Sequence, residues 1–197
     1  PVQAAELVFR QEVIRMVCVK ETVDKATSEG VLAMYDFDEG IYREIGDGQI
    51  DLWCQEVVGA ANGNWKKNFA QKLHDMASRR ENRVCECDNP SLVFMANGIW
   101  DYEERVLRGF SPEVVALRKS ATHLPDKEPP VPEHTLPDGS KIDFWQLLDS
   151  YVPYDGGRDL LVKVAGAALR SYHNWRVMVT FYNKTGHNGK STFLDCL

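Results

Sequence analysis

The stretch Lys184-Thr185-Gly186-His187-Asn188-Gly189-Lys190-Ser191-Thr192-Phe193-Leu194 decides the reading of this chain. An apolar run, Val177-Met178-Val179-Thr180-Phe181-Tyr182, stands just before it. A strand, a glycine-containing turn and then Gly-Lys-Ser-Thr is the order of a phosphate-binding loop. Backbone N–H groups of such a loop point into one concavity and cradle phosphate oxygens. Lys190 is placed to reach the β/γ-phosphates, and the Ser191 hydroxyl to help hold Mg²⁺. The loop opens a helix whose N-terminus favours anions. One position departs from the usual pattern: Lys184 stands where a first glycine is expected. A polar surface turn would explain the glycines, but not a lysine followed by two hydroxyls.

Working outward, 197 residues with 44% hydrophobic content suit one large or two small domains with a real core. No run reaches the length of a membrane span, and no leader is read at the N-terminus. The five cysteines are odd in number and scattered, apart from Cys85-Glu86-Cys87. They read as reduced thiols, so a cytoplasmic location is expected. No second Cys/His pair follows at zinc-finger spacing, and the pair is taken as structural. The net charge of −6 argues against a chain coated in nucleic acid.

The expected order of elements begins with a helix over 3–20, where Leu7, Val8, Ile14 and Cys18 recur at helical spacing. A hairpin follows, with strands 31–35 and 41–44 around Asp38-Glu39-Gly40. Helices are expected over 49–61 and, capped by Asn64, over 65–80. Short strands are read at 84–87, 93–95, 99–102 and 106–107. Ser111-Pro112-Glu113 reads as a helix start with Pro at the first helical position. Residues 123–139 hold five of the nine prolines and are expected to form an extended connector. Asp143 is placed to cap a helix over 144–152, and a longer helix is expected over 159–172.

Two constellations have competing readings. In Asp36-Phe37-Asp38, two carboxylates on a strand can hold metal ions for nucleotidyl transfer. A polar hairpin turn uses the same residues, and the turn is the preferred reading. Lys66, Lys67 and Lys72 are the candidate contacts to single-stranded DNA, beside Trp65 and Phe69. The alternative is an amphipathic helix that buries Trp65, Phe69, Leu73 and Met76 and leaves the cations on its wet face. His173-Asn174-Trp175-Arg176 reads as a helix-to-strand junction.

Three segments in order resemble one family. They are Asn97-Gly98-Ile99-Trp100-Asp101 with Phe110-Ser111-Pro112-Glu113, then Phe144-Trp145-Gln146-Leu147-Leu148, then Phe181 to Phe193 across the loop. Together they look like the phage and plasmid primase–helicases, a group with poxvirus-type members and a superfamily-three helicase motor. The resemblance covers about residues 30–197. It implies a ring-shaped, hexameric ATPase that translocates on single-stranded DNA, uses ATP and Mg²⁺, and often follows a primase domain. Carried over residue by residue, Gly186, Asn188, Gly189, Lys190, Ser191 and Thr192 map to nucleotide binding. Lys190 then neutralises the transferring phosphoryl group, and Ser191 meets Mg²⁺ through the nucleotide.

The expected fold class is therefore α+β. A helix-rich pre-motor domain with β-hairpins spans 1–122, a Pro-rich connector 123–139, and the truncated start of a P-loop α/β ATPase domain 140–197. The expected function is part of an ATP-dependent DNA helicase/primase that replicates a phage, prophage or plasmid. The competing reading is a non-enzymatic DNA- or protein-binding adaptor with a degenerate nucleotide loop.

Overall fold

The computed structural model describes residues 1–18, 30–169, 179–182 and 190–195. It divides into two compact units, Pro1–Thr122 and His123–Leu197. Helices and small sheets alternate, giving a mixed α+β chain. No described helix is long and apolar enough to cross a membrane.

In the first unit the expected helix over 3–20 is cut in two. Helix α1 (Val2–Gln11) ends where Glu12 turns extended, and strand β1 (Ile14–Cys18) follows. Ile14 and Cys18 fit helical spacing, but with Met16 they also satisfy a period of two. Pairing decides between them. β1 lies antiparallel to β2 (Gly30–Asp36) and parallel to β4 (Arg83–Cys85), and β3 (Ile41–Glu44) completes the order β3-β2-β1-β4.

One face of this sheet carries α1, α2 (Asp47–Val58) and α3 (Gly63–Ala77). Ile14 and Met16 pack there with Val8, Trp53, Phe69 and Leu73. The opposite face, with Val17, Ala33, Tyr35 and Tyr42, receives Val115. The α3 cap is Asn62, not Asn64: its side chain accepts from the Trp65 N–H at 2.9 Å. The helix starts two residues early, so Asn64 is inside it.

A second sheet has the order β5-β6-β7, from β5 (Leu92–Met95), β6 (Gly98–Asp101) and β7 (Val106–Arg108). The helix expected from Ser111-Pro112-Glu113 does not form. A turn closes instead, with the Val114 N–H donating to Ser111 O at 3.1 Å. The chain beyond it runs irregularly because its carbonyls are taken from elsewhere. Ala116 O accepts from the Tyr42 N–H at 2.8 Å, and Val115 O from the Cys87 N–H at 2.7 Å. The Ser120 N–H donates to Phe94 O at 2.8 Å. This segment therefore ties the two sheets together, a role that a helix could not fill.

The second unit opens with a small exposed hairpin, β8 (Glu133–Thr135) and β9 (Lys141–Asp143). β8 lies within the stretch expected as an extended connector, and its turn is held by Asp138, whose Oδ1 accepts from the Ser140 N–H and hydroxyl. Helix α4 (Phe144–Tyr151) begins with a reciprocal cap. Asp143 Oδ1 accepts from the Gln146 N–H at 2.7 Å, and Gln146 Oε1 accepts from the Asp143 N–H at 3.0 Å. Helix α5 (Gly157–Ala168) and the short α6 (Lys190–Asp195) complete the unit. Their core is Leu148, Leu161 and Phe193. Residues 179–182, the described part of the strand expected over 177–182, are irregular. The P-loop α/β layer is accordingly not seen among the described residues.

Candidate functional site

The site begins at α6. The lysine of Gly189-Lys190-Ser191-Thr192 lies on this helix. Three residues on, the same face of the helix carries Phe193. Phe193 is buried against Leu148 of α4 and Leu161 of α5, and its ring lies 5.7 Å from that of Phe181. This anchor determines where Lys190 stands. Lys190 is partly buried, Ser191 is exposed, and Thr192 lies on α6. Gly186, Asn188 and Gly189 lie outside the described residues, as do Lys184 and His173-Asn174-Trp175-Arg176.

Lys190 lines a cleft of about 340 Å³ in the second unit. Val152, Tyr154, Leu161, Val164 and Tyr182 contribute to its wall. Among the described residues that line it, Lys190 is the only charged one. A cleft of this kind, mostly apolar with a few polar groups, is the usual form of a small-molecule site. Sequence reasoning did not single out Tyr154. Its signal was the turn Pro153-Tyr154-Asp155-Gly156-Gly157, a cluster that holds an aromatic ring at a fixed bend.

For Mg²⁺ the described residues offer the Ser191 hydroxyl. No group of three or more His, Cys, Asp or Glu among them is arranged to hold a metal ion. Of the six oxygen ligands that octahedral Mg²⁺ takes, this hydroxyl would supply one.

The first unit places the remaining candidates. Asp36 caps the hairpin: its Oδ1 accepts from the Asp38 and Glu39 N–H groups at 3.0 Å each, and its Oδ2 pairs with Arg43 Nε at 3.0 Å. Asp38 is exposed. The Asp36-Phe37-Asp38 pair is thus a turn, as preferred from the sequence. On α3, Phe69, Leu73 and Met76 are buried and Trp65 stacks on Phe69 at 5.5 Å. The cations sit on the outer face. Lys66 is paired with Asp51, a hydrogen bond that raises its pKa; Lys67 is exposed and Lys72 partly buried. Cys18, Cys54, Cys85 and Cys87 are free thiols, and burial pushes the Cys54 thiol up.

The segments that carry the family resemblance in this unit are architectural. Asp101 is buried, accepts from the Glu103 and Glu104 N–H groups at 3.1 Å each, and pairs with Arg108 at 2.8 Å. Pro112 O accepts from the Tyr42 hydroxyl at 2.9 Å. Phe110 packs in a cluster with Phe94, Ile99 and Ile41, under the Lys119 ammonium, 4.9 Å from the ring centre. Lys119 in turn donates to Glu39 O at 2.6 Å and pairs with the Glu39 carboxylate at 3.0 Å. No protein-family model and no curated protein matches this chain.

Proposed function

We propose that this chain belongs to an ATP-driven DNA helicase, associated with a primase, that replicates a phage, prophage or plasmid. One observation carries the reading. The lysine of the Gly-Lys-Ser-Thr motif lies on α6, and it borders a small-molecule-sized cleft. Motif and cavity meet at one residue.

In this reading Lys190 places its positive charge against the β/γ-phosphates and offsets the charge that develops on the transferring phosphoryl group. Ser191 presents its hydroxyl to Mg²⁺, which bridges phosphate oxygens. Gly186, Asn188, Gly189 and Thr192 are the further nucleotide-binding residues of this proposal, on the resemblance alone. The hexameric ring and the single-stranded DNA track are part of the same proposal and rest on the resemblance alone.

Lys190→Ala tests it. ATP hydrolysis should be abolished, and amide exchange in Pro1–Thr122 should be unchanged. Hydrolysis at the parental rate overturns the assignment.

A further inference from the structure

We infer that the cleft beside Lys190 is the subsite for the base and ribose of a nucleoside triphosphate, with the base stacked on Tyr154 and Tyr182; this rests on the nucleotide reading of Lys190. The lining has two chemistries. Lys190 supplies a cation at one place, and the wall of Val152, Leu161 and Val164 is apolar. A phosphate has no reason to leave water for that wall, whereas a flat, weakly polar heterocycle does. A ligand anionic at one end and planar at the other matches both. The size agrees: about 340 Å³ is at the lower end of ligand pockets, roughly 300–1,000 Å³.

The two tyrosines are the second observation. Tyr154 is 60% exposed and Tyr182 78% exposed, yet both line the cleft. Aromatic rings held open to solvent beside an apolar wall are stacking platforms waiting for a partner. Tyr154 is held there by its backbone. Its N–H donates to Val152 O at 2.7 Å, and its carbonyl accepts from the Gly157 N–H at 3.0 Å. The chain closes tightly at Gly157, where a Cβ would stand 2.7 Å from Val152 O. The bend is therefore built before any ligand arrives, which lowers the ordering cost of binding.

Two probes separate the base from the phosphates. Saturation-transfer proton NMR of Mg-ATP reads contact with the adenine protons. Phosphorus line broadening of tripolyphosphate reads the anion site alone. In the 197-residue chain, the adenine protons should receive saturation. Tyr154→Ala/Tyr182→Ala should weaken ATP about ten-fold, the loss expected for stacking on aromatic rings. Tripolyphosphate broadening should be unchanged in that variant. Both side chains are exposed, so the fold is not at stake, and the amide spectrum checks it. ATP affinity equal to wild type in the double variant, or adenine protons without saturation, overturns the base subsite. Lys190→Ala with undiminished tripolyphosphate broadening overturns the phosphate reading instead. Binding of neither ligand to the wild-type chain overturns both.

Discussion

Gly40→Ala is the substitution whose effect can be worked out most fully. Gly40 closes the β2–β3 hairpin at φ +72°, and its N–H donates to Asp36 O at 2.7 Å. A side chain in this left-handed region costs roughly 1–2 kcal/mol. The new Cβ would also stand 2.0 Å from Phe110 Cγ, 2.3 Å from Cδ2 and 2.5 Å from Cβ. Phe110 cannot simply swing away, because Phe94, Ile99 and Ile41 pack around it and Lys119 covers its ring. Forcing extra volume into such a contact costs about 1–3 kcal/mol. The expected loss is therefore about 2–5 kcal/mol, a large share of a typical domain's stability of roughly 5–15 kcal/mol. Native-state hydrogen exchange at the β2 and β3 amides of the full chain measures it. Phe110→Ala removes the clash and leaves the backbone strain, so the two substitutions should couple favourably by about 1–3 kcal/mol. A loss below about 1 kcal/mol, or simple additivity with Phe110→Ala, would refute the reasoning.

Other expectations follow from the same contacts. Burial holds the Tyr42 hydroxyl, and with it that of Tyr35, above the usual tyrosine value of 10.0. The folded state thus keeps protons that the unfolded chain releases. The contribution of these two tyrosines should be level below about pH 10 and be lost as pH rises beyond it, and Tyr42→Phe should flatten that fall in alkaline urea titrations. At neutral pH the same variant should cost about 0.5–1.5 kcal/mol through the lost bond to Pro112 O. Asp143→Ala removes the reciprocal cap of α4 and should destabilise that helix by about 1 kcal/mol, read as faster amide exchange over Phe144–Tyr151. If α3 touches single-stranded DNA, replacing Lys66, Lys67 and Lys72 by Ala should remove the salt-sensitive part of oligonucleotide binding; Lys66 already serves Asp51, so the single variants Lys67→Ala and Lys72→Ala should account for most of it. Equal binding by parent and triple variant, at low and high salt alike, rules out that face.

Part of this fold is settled by neighbouring residues among themselves. The β2–β3 and β5–β6 hairpins, the cap of α4 by Asp143 and the buried stripe of α3 all depend on residues within a few positions of one another. The Gly-Lys-Ser-Thr motif is equally local. Tertiary structure alone decided where a local pattern had two solutions or met a stronger competitor. Ile14 and Cys18 fit a helix or a strand, and the distant partners β2 and β4 make their segment a strand. Ser111-Pro112-Glu113 has a helix-start signal, but Tyr42, Cys87 and Phe94 claim the backbone hydrogen bonds just beyond it. The cleft was invisible for the same reason. Tyr154 is far along the chain from Tyr182 and Lys190, and it shares a wall with them because Phe193 packs α6 on Leu148 and Leu161. Burial of apolar surface has no sequence range, whereas turn and cap chemistry reaches only a few residues.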